Sequence, residues 1–226
     1  MELGPAAQLR PDEADAVASL RSLGIVPVVE LAAAGDAPFL IDALAAAGLP
    51  VVEVTLRTGA ALLAIATLRR SHPDVLVGAG TVRSAADAGA VIEAGAQFVV
   101  SPGLDLEVIE LCRNYGVLAM PGACTPTEVD AATRAGAKLV KFFPAEAIGG
   151  VAFLKALTAP FRDVSFVPTG GINASNLADY LRVPQVVACG GSWMVAPQLI
   201  NERRFDRIEV LAREATAIVA EVRADA

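Results

Sequence analysis

The chain has 226 residues, 54% of them hydrophobic and 19% charged, with a net charge of −7. Its acidic balance and singly scattered arginines argue against nucleic-acid binding, and no uninterrupted apolar stretch reaches the roughly 18 residues of a membrane span. The three cysteines form no C-x-x-C pair, and the single histidine argues against a zinc or iron site, so we expect a cytoplasmic, metal-free protein with free thiols.

Short β-branched runs alternate with alanine-rich segments of helical length from residue 25 onward, after a predicted helix over 11–23 within an amino-terminal extension of residues 1–24. Alternating strands and helices indicate parallel βαβ units. Eight such units favour a single-domain (β/α)8 TIM barrel spanning residues 1–226. The predicted strands are 25–30, 51–55, 75–80, 97–101, 117–121, 138–143, 165–169 and 186–189.

The architecture predicts where chemistry takes place, because active sites of such barrels lie at the carboxyl ends of the strands. Polar residues and glycines that end or follow the predicted strands are therefore the candidates. In chain order they are Glu53, Thr55, Arg57, Gly80, Thr81, Ser101, Pro102, Lys141, Phe143, Thr169, Gly170, Gly171, Gly190, Gly191 and Ser192.

Lys141 is one of only three lysines in the chain and lies between Val140 and Phe142 in an apolar strand. Burial removes water from an ammonium and favours the neutral amine. A neutral amine attacks ketones and forms Schiff bases. The alternative is a lysine on an edge strand with its ammonium in water.

Glu53 stands among valines, on the same strand face as Val51 and Thr55. A carboxylate there is costly unless it is paired or functional, so we expect it to transfer protons beside Lys141. A structural ion pair with Arg57 or Lys141 is the alternative. Arg57 offers a planar guanidinium that matches a carboxylate, although a surface arginine in a loop is equally compatible with its position.

Glycine pairs follow the last two predicted strands, as Gly170-Gly171 and Gly190-Gly191. Glycines let backbone N–H groups approach an anion, and the loops after strands seven and eight commonly bind phosphate in this architecture. A single pair also occurs where a strand simply ends in a turn. Two pairs at these two strands predict a phosphate site.

Seven segments together resemble the class I 2-keto-3-deoxy-6-phosphogluconate and 4-hydroxy-2-oxoglutarate aldolase family from about residue 20 to the carboxyl end. They are Val52-Glu53-Val54-Thr55-Leu56-Arg57-Thr58, Gly78-Ala79-Gly80-Thr81, Ser101-Pro102-Gly103, Pro121-Gly122, Lys141-Phe142-Phe143-Pro144-Ala145-Glu146, Pro168-Thr169-Gly170-Gly171-Ile172 and Gly190-Gly191-Ser192-Trp193.

The resemblance implies a role for each matching residue. Lys141 is similar to the Schiff-base lysine and Glu53 to the general acid/base. It implies pyruvate contacts for Arg57, Thr81, Pro102 and Phe143, phosphate contacts for Gly170, Gly171, Gly191 and Ser192, and epimer discrimination for Thr169. It also implies a phosphorylated keto-acid substrate, a homotrimer, and no cofactor beyond the lysine imine. At the end of the first predicted strand, this chain has Glu30 where many members of the wider family have arginine.

The resemblance implies cleavage of 2-keto-3-deoxy-6-phosphogluconate to pyruvate and glyceraldehyde 3-phosphate. Alternative substrates are 4-hydroxy-2-oxoglutarate and the galactonate epimer. Two other classes of function remain open at this point. A non-catalytic phosphate-binding trimeric barrel would use the same glycine pairs, and a phosphosugar isomerase or epimerase would use Glu53 as base.

Overall fold

A computed structural model describes residues 13–224 of the chain. Its strands are β1 (Ile25–Val29), β2 (Val51–Thr55), β3 (Leu76–Gly80), β4 (Phe98–Val100), β5 (Leu118–Met120), β6 (Gly122–Ala123), β7 (Leu139–Phe142), β8 (Ser165–Pro168) and β9 (Cys189–Gly191). The α-helices are α1 (Glu13–Leu23), α2 (Ala37–Ala46), α3 (Ala61–Ser71), α4 (Ala85–Glu93), α5 (Leu106–Asn114), α6 (Pro126–Arg134), α7 (Gly150–Thr158), α8 (Leu177–Leu181), α9 (Pro197–Asn201) and α10 (Phe205–Ala224). Short 3₁₀ helices lie at Ala34–Asp36, Glu146–Ile148 and Trp193–Val195.

The strands are paired in parallel, as the alternation with helices predicts. Six form a half-barrel sheet in the order β5-β4-β3-β2-β1-β9, and three form a second sheet in the order β6-β7-β8. Isolated parallel bridges join Phe166 to Val186 and Thr169 to Gly190. The parallel α/β fold is confirmed, but the ladder is divided between two sheets, whereas the sequence predicts one closed eight-stranded barrel.

Two strand predictions need correction. The strand predicted over 117–121 is shortened to β5, which ends before Pro121, a residue with no N–H to donate to a ladder, and the separate strand β6 follows Pro121. β5 pairs with β4 and β6 pairs with β7, so the chain changes sheets there. The last strand is shifted to Cys189–Gly191, where it pairs with β1, and overlaps the predicted 186–189 only at Cys189.

The amino-terminal helix is confirmed from Glu13 onward, and the predicted start at Pro11 lies outside the described residues. Ala16 and Leu20 are buried against the core. Glu13 forms an ion pair with Lys138 at 2.8 Å, just before β7 begins. Helix α1 therefore lies near the amino end of β7, opposite the end where active-site residues are expected. Between residues 13 and 224, no helix has both the length and the apolarity to cross a membrane.

The start of α6 is a capping box, as the segment Thr125-Pro126-Thr127-Glu128 predicts. The backbone N–H of Cys124 and the hydroxyl and N–H of Thr125 lower the pKa of Glu128 against the opposing effect of burial. A lowered pKa means that the carboxylate stabilises the fold above its unfolded pKa, and this contribution is lost as pH falls through the folded pKa.

Replacing Thr125 with alanine should reduce the free energy of unfolding by about 1 kcal/mol, because the N–H of Glu128 loses its acceptor. Urea unfolding at neutral pH measures the change. Thr127→Ala, at an exposed neighbour outside the capping hydrogen bonds, is the matched control. Equal unfolding midpoints for the two variants would contradict the assigned cap.

Candidate active site

A cavity of ≈ 220 Å³ opens at the carboxyl ends of the strands. It brings together ten of the eleven residues to which the family resemblance gives a role: Glu53, Arg57, Thr81, Pro102, Lys141, Phe143, Thr169, Gly170, Gly171 and Ser192. Gly191 lies in β9, paired with Pro27, and its neighbours Gly190 and Ser192 line the cavity instead.

Lys141 and Glu53 face each other across the cavity from different sheets. Lys141 lies in β7 between β6 and β8, and Glu53 lies in β2 between β1 and β3. Their side chains are 7% and 4% exposed, and Lys141 Nζ is 3.6 Å from Glu53 Oε1. The alternative of an edge-strand lysine with its head in water is therefore wrong. Two residues, Arg57 and Lys141, were possible ion-pair partners of Glu53, and in the structure the partner is Lys141.

Glu53 Oε1 accepts no hydrogen bond from the residues that the structure describes. Burial of a carboxylate oxygen is costly, and the ion pair with Lys141 compensates for part of that cost. This oxygen also lies beside the cavity, where a ligand hydroxyl would complete its hydrogen bonding. The arrangement suits proton exchange between a carboxylate and a group bound at the lysine.

Gly80 provides the space that the Glu53 carboxylate occupies. A Cβ at Gly80 would lie 2.1 Å from Glu53 Oε1, so any larger residue would displace the carboxylate. Sequence reasoning places Gly80 at a strand end but assigns it no role. A glycine inside an apolar strand is the available signal, since it indicates close approach by another group.

Phe143 and Thr81 shape the cavity around the lysine. Lys141 Nζ lies 5.1 Å from the centroid of the Phe143 ring. Thr81, directly after β3, has φ of 61°, a left-handed conformation that is uncommon for a residue with a branched side chain. Such local strain is typical of functional sites, where the surrounding structure holds a side chain in one direction.

Arg57 lies at the edge of the cavity and forms an ion pair with Glu30 at 3.7 Å, with the two side chains 55% and 41% exposed. The pair is half-exposed and weak, since such surface pairs contribute about 0–1 kcal/mol. Arg57 is thus not the structural partner of Glu53. Its guanidinium remains accessible to an anion that enters the cavity.

The two glycine pairs lie side by side, because Thr169 at the end of β8 bridges to Gly190. Gly170 and Gly171 have φ of 101° and 84°, which side chains rarely adopt. A Cβ at Gly190 would lie 2.4 Å from Thr169 Oγ1, so the absence of a side chain lets the threonine pack there. Backbone and hydroxyl groups that follow β8 therefore lie beside those of β9 on one side of the cavity.

Sequence reasoning missed several apolar walls of the cavity, namely Val28, Val29, Ile172 and Pro197. Pro197 is the first residue of α9, beyond the last strand, and nothing local distinguishes it from an ordinary helix start. His72 is near Asp42, with Nε2 3.1 Å from Oδ1, and does not line the cavity.

All three cysteines are free. Burial raises the pKa of Cys112 to about 12, with a further contribution from Glu13. Across residues 13–224, no group of three or more His, Cys, Asp or Glu side chains is arranged to hold a metal ion.

A sequence profile described as KDPG and KHG aldolase matches residues 17–211. A 2-dehydro-3-deoxy-phosphogluconate aldolase of Haemophilus influenzae is 44% identical over 203 residues, which cover 90% of this chain and 96% of that protein. A KHG/KDPG aldolase of Escherichia coli K12 is 42% identical over 191 residues, which cover 84% of this chain and 90% of that protein. The crystal structure of a Legionella pneumophila KDPG aldolase, with pyruvate captured at low pH as a covalent carbinolamine, superposes with a TM-score of 0.85 at 37% identity, covering 88% of this chain and 97% of that one.

Proposed function

Because this chain belongs to the KDPG and KHG aldolase family, we propose that it is a class I aldolase that cleaves 2-keto-3-deoxy-6-phosphogluconate reversibly to pyruvate and glyceraldehyde 3-phosphate. The observation that carries the proposal is the buried pair of Lys141 and Glu53 facing the cavity at 3.6 Å. A covalent pyruvate carbinolamine in the Legionella relative supports a Schiff-base mechanism.

In the proposed reaction, Lys141 passes its ammonium proton to the Glu53 carboxylate, and the neutral amine attacks the C2 ketone to form a carbinolamine. Glu53 donates a proton to the departing hydroxyl, and loss of one water gives a protonated imine. Glu53 then accepts the proton of the C4 hydroxyl, the C3–C4 bond breaks, and its electron pair moves into the imine to give an enamine. Glyceraldehyde 3-phosphate leaves, the enamine is protonated at C3, and one water releases pyruvate and the free lysine. The covalent route divides one difficult carbanion step into easier ones.

The cavity provides a separate position for each end of the substrate. Arg57 and Thr81 hold the carboxylate, while Pro102 and Phe143 flank the pyruvate carbons. Gly170, Gly171 and Ser192, which line the cavity, bind the phosphate at the other side together with Gly191, whose two neighbours line it. The two anchoring sites place C2 beside Lys141 and leave Glu53 near C4.

The other functional classes explain less of the site. A non-catalytic phosphate-binding barrel has no use for a buried amine that is paired with a buried carboxylate at the cavity. An isomerase or epimerase would use Glu53 as base without a covalent lysine. 4-Hydroxy-2-oxoglutarate and the galactonate epimer remain as alternative substrates of the same chemistry, because both carry a ketone two carbons from a hydroxyl.

Four further properties belong to the same proposal. The strands close into a single-domain (β/α)8 barrel, which the bridge between Thr169 and Gly190 supports. Three copies assemble as a homotrimer, as family membership suggests, and no metal or other cofactor takes part. The protein works in the cytoplasm, where free thiols such as the buried Cys112 and Cys189 persist.

Pyruvate release, coupled to lactate dehydrogenase, tests the proposal with three substrates: the gluconate compound, its galactonate epimer and 4-hydroxy-2-oxoglutarate. The phosphorylated gluconate should give the highest kcat/KM. No pyruvate from any of the three would reject the aldolase.

Thr169→Val should change the ratio of kcat/KM for the two epimers severalfold, because valine keeps the shape of threonine but removes the hydroxyl from a residue that lines the cavity. The same coupled assay measures both epimers. Thr158→Val, at a buried threonine of α7 remote from the cavity, is the matched control. An epimer ratio equal to that of the unmodified enzyme would reject this role for Thr169.

A further inference from the structure

A tyrosine and a glutamate outside the cavity lining are joined beside the glycine loop, residues 169–171. The hydroxyl of Tyr180 in α8 donates to Glu146 Oε1 at 2.5 Å. Tyr180 is completely buried. Burial, followed by the Glu146 carboxylate, raises the pKa of Tyr180 above its usual range, so the phenol keeps the proton that it donates.

Glu146 lies directly against the glycine loop. Its backbone N–H donates to the carbonyl of Gly170 at 3.0 Å, and the N–H of Ala145 donates to the carbonyl of Thr169 at 2.9 Å. A Cβ at Gly171 would lie 2.6 Å from both Cβ and Cγ of Glu146. The backbone of this acidic residue is therefore held within a few ångströms of the place where we propose that phosphate binds.

The carboxylate creates an electrostatic problem for that site. Glu146 is exposed and its Cβ and Cγ lie against Gly171, so rotation about the outer side-chain bonds can turn the carboxylate toward the loop. Turned toward the loop, the carboxylate would repel a phosphate dianion. Turned toward α8, it accepts the proton of Tyr180 and lies near Gly150, where a Cβ would be 3.0 Å from Glu146 Oε1.

We propose that Tyr180 is a positioning residue that holds the Glu146 carboxylate away from the glycine loop, and thereby sets the preference for phosphorylated over unphosphorylated keto acids. The proposal rests on the proposed function, because it takes the glycine loop as the phosphate site. A hydrogen bond from a buried donor to a carboxylate is among the stronger ones in proteins, which makes it suitable for this restraint.

The test compares Tyr180→Phe with the unmodified enzyme on 2-keto-3-deoxy-6-phosphogluconate and on 4-hydroxy-2-oxoglutarate. Without the hydroxyl, the carboxylate is free to approach the phosphate, and repulsion between near charges should raise KM for the phosphorylated substrate about fivefold. KM for the unphosphorylated substrate and both kcat values should stay unchanged. The difference should shrink in high salt.

The double variant Tyr180→Phe/Glu146→Gln distinguishes charge from packing. Removing the carboxylate should restore KM for the phosphorylated substrate, whereas a purely structural defect in α8 would persist. Glu146→Gln alone should leave that KM at or below the original value, and it keeps the test decisive should Tyr180→Phe fail to fold. Tyr115→Phe, at the end of α5, is the matched control.

Equal changes for both substrates, absence of rescue in the double variant, or a raised KM in Glu146→Gln would each overturn the proposal. Borohydride trapping of pyruvate on the protein tests the proposed aldolase function independently of the role of Tyr180. A protein that still forms the pyruvate adduct but shows no selective change in KM is an aldolase in which Tyr180 lacks the positioning role.

Discussion

Replacing Lys141 with alanine should abolish cleavage of the keto-acid substrate, with kcat falling at least about 10⁴-fold, the order expected when the nucleophile of a covalent enzyme is lost. The amine that forms the imine is then absent, and neither of the other lysines lines the cavity. Alanine also leaves Glu53 buried without its partner, so circular dichroism should accompany the coupled assay to show that the variant is folded.

Borohydride reduction in the presence of pyruvate gives an independent readout. The unmodified protein should gain one pyruvate-derived mass adduct, and peptide mapping should place it on Lys141. Lys155→Ala, at an exposed lysine of α7, is the matched control and should retain both the adduct and full activity. An unlabelled protein, or an adduct on Lys138 or Lys155, would refute the mechanism.

The Glu53→Gln substitution should lower kcat about 10²- to 10⁴-fold, the usual contribution of a positioned general acid or base. The amide keeps the size of the carboxylate but cannot exchange protons with the C4 hydroxyl or the enamine. Exchange of the pyruvate methyl hydrogens with deuterated solvent isolates one of these steps, because it requires only imine and enamine formation. The exchange rate, followed by NMR, should fall together with kcat.

Glu110→Gln, at an exposed position of α5, is the matched control for the loss of one carboxylate. It should leave cleavage and exchange at their original rates. A Glu53→Gln enzyme with full cleavage and exchange rates would show instead that Glu53 serves only as the ion-pair partner of Lys141.

The local pattern of the chain was sufficient to single out two candidate site residues, Lys141 and Glu53. Lys141 stands out because a charged group in an apolar strand is unusual, and Glu53 stands out among valines for the same reason. The strand-to-helix alternation indicated which ends of the strands carry the chemistry. Ten of the predicted site residues line one cavity, although their individual roles remain predictions.

Local sequence pattern was insufficient to predict strand bounds that depend on the neighbouring strands in the sheet. Pro121 interrupts a segment that reads as one strand, and the partners on each side decide that β5 and β6 belong to different sheets. The last strand is shifted toward Gly191 because its register is set by pairing with β1. Glu146 and Gly171 are far apart in the sequence, so their contact likewise has no local signature.

The amino-acid sequence by itself determined the parallel α/β class and indicated Lys141 and Glu53 as candidate reactive side chains, because burial pattern and turn chemistry are properties of neighbouring residues. Only the tertiary structure decided that Lys141 and Glu53 lie 3.6 Å apart, that Gly80 leaves space for the carboxylate, and that Arg57 pairs with Glu30. Distances between strands follow from register, sheet twist and side-chain packing across the whole fold, which no local window of sequence contains.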